Sequence, residues 1–287
     1  MSNSYFIECP NPEGIKGTHK VNITEWGNKN NTKTLICVHG LTRNSRDFDF
    51  IARELEHEYR IICPDMPGRG KSEWLANHQL YNYITYVADM LHIMQTLGLF
   101  QCHWIGTSMG GLIGMMIAAN VPGIITKLVI NDIGAEVPGK GLERIGGYVG
   151  KESIFKTVTE AEEFFRFVCR PWGKLDDAHI KHITTHSISP VEGGFRIAYD
   201  PNIGKAFKDE AGNVRKIEDI NLWEIWNKVS CPVLLLHGEE SDILSSNIAN
   251  KMAESKNVEL INFPNIGHIP SLMQNDQINL VKNWLIS

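Results

Sequence analysis

The chain is predicted to fold as an α/β protein: a mostly parallel central sheet with helices on both faces, and a mainly helical cap inserted after the sixth core strand. Three observations carry this expectation. Short apolar runs alternate with helical patterns, one long interval breaks the alternation, and a glycine-rich turn joins a strand to a helix. Strands that alternate with helices build a parallel sheet whose two faces are both covered.

Taken in order, β-rich runs at 5–8 and 20–25 open the chain and predict an antiparallel edge. The runs 35–38, 60–63, 103–105, 127–131, 233–236 and 259–263 are short and mainly apolar, as doubly buried parallel strands should be. Between them lie the helical patterns 46–56, 83–97, 112–120 and 245–254, and a last helix at 276–285. The interval from Gly134 to Asn227 is richer in aromatic and charged residues, with helical stretches at 160–169 and 176–186. It is too long for a loop, so it carries its own structure. The expected division is a core of residues 1–133 and 228–287 with a cap of 134–227, returning through 221–226.

Composition narrows the function classes. A chain of 287 residues with 43% apolar content can bury one large core plus a modest insertion. The formal charge of −5, from 28 basic and 33 acidic residues with no basic block, makes nucleic acid an unexpected partner. Six scattered cysteines contain no C-x-x-C pair, and Cys37, Cys63 and Cys102 fall in or beside core strands; no disulfide framework is expected, which suits a reducing cytoplasm. The N-terminal residues lack a basic region followed by a long apolar one, so no secretory signal is expected. The longest apolar run, 109–119, is too short to span a bilayer. Oligomeric state is left open.

The chemistry-bearing motif is Gly106-Thr107-Ser108-Met109-Gly110-Gly111, a G-x-S-x-G between a predicted strand and a predicted helix. In that setting the serine sits on a sharp turn with its hydroxyl pushed out at the top of a sheet. A plain glycine-rich turn with a capping serine is the bland alternative, and the partners decide. Asp242 follows the run 233–236, and His268 follows 259–263 in Gly267-His268. Ser, Asp, His is the chain order of a known triad architecture. Upstream, the run 35–38 leads into His39-Gly40-Leu41.

With these residues in view the chain resembles the α/β-hydrolase fold superfamily over nearly its whole length. Asp65-Met66-Pro67-Gly68-Arg69-Gly70-Lys71-Ser72 resembles the D-x-P-G-x-G-x-S turn of that family, and Asn131-Asp132-Ile133-Gly134 resembles the segment closing the strand before the cap. Within the superfamily it is similar to bacterial hydrolases related to enol-lactonases and small carboxylesterases. The resemblance implies a serine hydrolase of a small carboxylic ester or lactone, with no cofactor and no metal. Ser108 would form an acyl-enzyme, His268 would be its base, and Asp242 would orient His268. Asp132 is the alternative acid, since some members place it after the sixth strand; Glu239 and Glu240 are weaker candidates. The N–H groups of Leu41 and Met109 would form the oxyanion hole, and His39 would brace that loop. The same triad also serves carbon–carbon bond hydrolysis of vinylogous diketones, acyl transfer, or a ligand-binding relative of low turnover. A serine at the elbow argues against dehalogenase and epoxide-opening relatives, which use aspartate there.

Two further groups stand out. Arg43 reads first as a surface arginine near Asp47 and Asp49, and second as a possible binding residue for a substrate carboxylate. His179, His182 and His186 could share one helix face, and three histidines can hold zinc; a solvated or packed face explains the spacing equally. Trp172, Tyr148, Phe164, Phe165, Trp223 and Trp226 are read mainly as cap packing.

Overall fold

Runs such as Leu35-Ile36-Cys37-Val38 have no polar side, and they form strands only where helices cover both faces of a sheet. A computed structural model describes residues 2–12 and 15–287. Asn3–Pro10 (β1) and Thr18–Trp26 (β2) pair antiparallel. They are followed by Thr34–Val38 (β3), Asp49–Leu55 (α1), Arg60–Pro64 (β4), Tyr83–Thr96 (α2), Cys102–Thr107 (β5), Met109–Asn120 (α3) and Ile125–Asn131 (β6). The intervening stretch holds Glu136–Val137 (β7), Gly139–Gly146 (α4), Ile154–Phe155 (β8), Val158–Val168 (α5), Asp177–Ser187 (α6), Ile188–Val191 (β9), Gly194–Ile197 (β10), Ile220–Asn221 (β11) and Trp223–Trp226 (α7). The chain then returns through Val233–Gly238 (β12), Ser246–Ala253 (α8), Val258–Phe263 (β13) and Asn275–Ile286 (α9).

The eight-stranded sheet runs β1-β2-β4-β3-β5-β6-β12-β13. It is parallel from β4 to β13 and antiparallel at the β1-β2-β4 edge. Alternate residues of each central strand enter opposite cores. Ile36, Trp104, Leu128 and Leu235 join the layer under α2, α3 and α8, while Leu35, Ile105, Val129 and Leu236 join that under α1 and α9. Between β6 and β12 the helices α5 and α6 pack into a separate apolar cluster of Phe165, Cys169, Trp172, Ile180 and Ile183, which reaches the core at Ile269 and Met273. A three-stranded antiparallel sheet, β8-β10-β9, accompanies them. The apolar periodicity of 134–227 had indicated only helices, because strands of two to four residues are too short to leave a pattern. No helix among the described residues is long and apolar enough to cross a membrane.

The direction of strand order reverses between β3 and β5, which leaves a crevice above their C-terminal ends. The loop after β3 and the turn after β5 both open into it. Close contact there depends on small residues: a Cβ on Gly106 would overlap the Gly110 carbonyl, and one on Gly110 would overlap the Val38 carbonyl. Gly110→Ala is therefore expected to destabilise the protein by about 3 kcal/mol, since an overpacked backbone contact has no flexible neighbour to absorb it. A urea midpoint equal to that of the parent, at equal slope, contradicts this.

Candidate active site

Ser108 ends the turn between β5 and α3 with φ 49° and ψ −112°. Positive φ is costly for a residue with a Cβ. Here the turn is held by the Ser108 N–H, which donates to the Asn131 carbonyl at 2.9 Å, and by the N–H groups of Gly111 and Leu112, which donate to the Ser108 carbonyl. The hydroxyl is left half-buried at the crevice.

His268 lies in the loop after β13. Its Nε2 is 2.9 Å from Ser108 Oγ and its Nδ1 is 2.7 Å from Asp132 Oδ2. Because a carboxylate only accepts, Nδ1 carries the proton and donates to Asp132; Nε2 then accepts from the Ser108 hydroxyl. The structure thus brings Asp132, not Asp242, to the histidine. Parallel register explains it. Thr107 pairs with Asn131 and Leu236 with Asn131, so the residue after β6 stands level with Ser108 on the adjoining strand. Asp132 turns toward His268 with φ 57°, a conformation aspartate tolerates better than most residues.

Asp242 faces away. It is exposed and pairs with Arg144, with Arg144 Nη2 donating to Oδ1 at 2.8 Å. Glu239 and Glu240 are also exposed. The residue of this loop that reaches the acid is Ser241, whose Oγ donates to Asp132 Oδ2 at 2.6 Å. The Gly238 N–H donates to Oδ1 at 2.9 Å, and His237, itself buried, places Nδ1 3.4 Å from Oδ1. Burial alone would raise the Asp132 carboxyl, but hydrogen bonds from His237, His268 and Ser241 hold it below the ordinary carboxylate range. Asn131 adds a brace: its Nδ2 donates to Pro270 O at 2.9 Å and to Thr107 Oγ1 at 3.2 Å, tying the histidine loop to the serine strand. His237, Ser241 and Asn131 escaped sequence reasoning. Only the run of polar residues closing β6 and β12 hinted at them.

Gly40 lies against Ser108: a Cβ on it would stand 3.8 Å from Ser108 Cβ. Leu41 follows it, and Met109 is the first residue of α3, whose N–H has no helical acceptor. Among the described residues the Leu41 N–H has no protein acceptor either. His39 is buried, and burial pulls its pKa down to about 4. Neutral, it donates from Nδ1 to Gly40 O at 2.7 Å and accepts the Met66 N–H at Nε2 at 2.9 Å, bracing the turn.

Arg43 is neither on the surface nor aimed at a free ligand position. It is buried, donates from Nε and Nη2 to Asp47, donates from Nη1 to Ser187 Oγ at 2.9 Å, and lies over the Phe165 and Trp172 rings. His179 and His182 donate to core carbonyls, those of Met273 and Arg46, at 3.1 and 2.9 Å, so they dock α6 onto the core. Among the described residues, donor atoms of Asp49, His182 and His186, and of Cys9, His19 and Asp89, come within 4.8 Å of one another. Asp49 is taken by Arg46, and Asp89 by His19 at 3.0 Å. Of the aromatic candidates, Tyr148 is exposed, Trp223 lies under Lys251, and Trp226 is in the core.

The chain belongs to the α/β-hydrolase superfamily. The family defined by the alpha/beta hydrolase fold matches residues 33–148. Over 284 residues the chain is 34% identical to a 3-hydroxybutyrate-oligomer hydrolase of Cupriavidus necator, covering 97% of this chain and 96% of that one. It is similar to the solved structure of a provisionally assigned hydrolase of Rickettsia typhi, with TM-score 0.91, 35% identity, and coverage of 100% and 99%. It is also similar to an α/β hydrolase of Novosphingobium aromaticivorans, with TM-score 0.87, 30% identity, and coverage of 99% and 98%. The protein is an ester-hydrolysing enzyme of this fold.

The depressed Asp132 carboxyl has a pH signature. A pKa lower in the folded than in the unfolded chain stabilises the fold above the unfolded value of about 3.9, and that contribution fades as pH falls through the folded value. The unfolding free energy of the parent should exceed that of Asp132→Asn at neutral pH, and the margin should shrink below about pH 4. A margin that does not vary with pH contradicts the assignment.

Proposed function

We propose that the enzyme hydrolyses carboxylic esters through an acyl-enzyme on Ser108, with His268 as general base and acid and Asp132 as the acid of the triad. The single observation carrying this is the unbroken hydrogen-bonded chain Ser108 Oγ, His268 Nε2, His268 Nδ1, Asp132 Oδ2. A serine hydroxyl is a weak nucleophile until a neighbouring base accepts its proton. Here His268 already accepts the hydroxyl hydrogen bond, and Asp132 holds the tautomer that leaves Nε2 free to do so.

As Ser108 Oγ attacks the ester carbonyl, its proton passes to His268 Nε2, and the carbonyl oxygen becomes an oxyanion. The N–H groups of Leu41 and Met109 flank that position and are the donors for it. Collapse of the tetrahedral species releases the alcohol, protonated by His268. Water then loses a proton to His268 and attacks the acyl-enzyme, freeing the carboxylic acid and restoring Ser108. Asp132 stays ionised throughout, because its hydrogen bonds favour the charged form.

The substrate class favoured is the ester linkage between short hydroxy acids, as in oligomers of 3-hydroxybutyrate; the relative that matches along nearly its whole length supports it. Lactones present the same ester carbonyl. The test is acid release from a 3-hydroxybutyrate trimer beside p-nitrophenyl butyrate and a small lactone. Cleavage of p-nitrophenyl butyrate but not of the trimer rejects the oligomer and keeps the mechanism. Cleavage of a vinylogous diketone alone rejects ester hydrolysis and leaves the triad to carbon–carbon bond cleavage.

Ser108→Ala should lower kcat by about 1000-fold or more and abolish labelling by a fluorophosphonate. Asp132→Asn should cost on the order of 10,000-fold, whereas Asp242→Asn, altering an exposed ion pair, should stay within about threefold. Asp132→Asn/Ser241→Asp should regain part of the loss, since Ser241 already reaches the same point from the loop after β12. The reverse ranking of the two single Asp variants returns the acid to Asp242.

A further inference from the structure

Arg69 is completely buried, and a guanidinium in that position is expensive unless a carboxylate or several strong acceptors surround it. Among the described residues no carboxylate pairs with it. Its partners are neutral: Nε donates to Leu41 O at 2.8 Å, and Nη1 donates to Pro67 O at 2.6 Å and Tyr86 Oη at 2.8 Å. Nη2 stands 3.7 Å from Met109 Sδ, and the rings of Tyr81 and Tyr86 lie 5.5 and 5.1 Å from the guanidinium carbon. The Asp200 carboxylate beyond Tyr81 is occupied by the Tyr81 hydroxyl at 2.6 Å. Among the described residues the protein therefore keeps this positive charge dry and with no carboxylate in direct contact.

Its location is as specific as its lack of a partner. Leu41 and Met109 are the two residues whose N–H groups flank the developing oxyanion, and Arg69 touches both. The backbone of Arg69 also bridges to Tyr199, and the Gly70 N–H donates to Ala198 O at 3.0 Å, so the stretch after β10 fixes the turn that carries it.

We propose that Arg69 is a positioning residue for the reaction: it holds the Leu41 peptide and the Met109 side chain in place and sets a positive charge with no directly paired carboxylate behind the oxyanion hole. A charge already neutralised by a carboxylate would favour ground state and transition state alike. An unpaired one gains only when negative charge appears nearby, which is the condition for lowering the barrier rather than tightening binding. The inference rests on the Ser108–His268–Asp132 reading of the site.

The test uses Arg69→Met, of similar length and uncharged, and Arg69→Lys, which keeps charge but cannot reach the Leu41 and Pro67 carbonyls together. With p-nitrophenyl butyrate, Arg69→Met is expected to lose kcat by about 100-fold with KM within about twofold, and Arg69→Lys to fall between it and the parent. A trifluoromethyl ketone, which adds Ser108 to give an oxyanion, should lose affinity by the same factor as kcat/KM. The corresponding secondary alcohol, which cannot form that adduct, should bind unchanged; a merely structural role would weaken both.

A folded Arg69→Met with parental kcat, or one whose loss falls equally on alcohol binding, overturns the inference. Should Arg69→Met not fold, Arg69→Lys decides: parental kcat and ketone affinity overturn it, and a loss confined to kcat and the ketone supports it. A parent protein that neither turns over the ester nor reacts with a fluorophosphonate overturns the triad reading instead.

Discussion

The structure is organised around one buried carboxylate. Asp132 sits in no contact with solvent, and it accepts from His268, from the Ser241 hydroxyl and from the Gly238 N–H, with His237 close behind. An ionised carboxyl in such a place is stable only because each oxygen is supplied with donors. Those donors come from β12, from the loop after it and from the loop after β13. The charge thereby makes three separate segments mutually dependent, and His268 is aimed at Ser108 as a consequence. Remove the charge, and the histidine has no reason to keep its proton on Nδ1.

The strained turn at Ser108 rests on the same region. Its positive φ is offset by the bond from its N–H to Asn131 O, one residue before Asp132, and Asn131 in turn holds the histidine loop at Pro270. Strain at Ser108 and burial of Asp132 are thus stabilised by a single stretch of β6 and its neighbours. Glycines at 106 and 110 let β5, α3 and β3 approach until backbone meets backbone. Helix α3 is apolar on every side, as a helix enclosed by a sheet and a second helix layer must be.

How much of this was legible beforehand follows from what each signal encodes. Six mainly apolar runs announced the parallel strands, because double burial excludes polar residues from most positions of an inner strand, as at 35–38 and 233–236. The elbow and the Gly-His motif are local patterns, and the structure places both side chains within 2.9 Å of each other. The acid was harder. Asp132 and Asp242 each follow a strand, and chain order favoured Asp242. What separates them is register and the sign of one φ angle, neither of which a composition or a period carries. Ser241, one residue from Asp242, points inward while Asp242 points to Arg144. A displacement of one residue decides which face of a loop a side chain takes. Arg43 is hidden from sequence reasoning for a similar reason: neighbouring Asp47 and Asp49 look like a solvated cluster until the 134–227 segment is laid over them.

That overlay connects two distant parts of the chain. The Arg43 N–H donates to Gly40 O at 3.1 Å and closes the turn that leads to Leu41, while its guanidinium grips Ser187 at the end of α6. On the other side of the turn, Arg69 pairs its backbone with Tyr199 and holds Leu41 O with its side chain. Two arginines, one neutralised by Asp47 and one with no directly paired carboxylate among the described residues, thus fasten the segment inserted after β6 to the turn after β3. Arg43 cannot serve as a free cation for a substrate carboxylate while Asp47 takes two of its N–H groups. Its contribution is mechanical. Hydrogen bonds from Arg43 to Ser187 Oγ and to the Gly40 carbonyl join the end of α6 to the turn that lies against Ser108. Sheet order makes this economical: β3 lies beside β5, so the turn it feeds stands against Ser108.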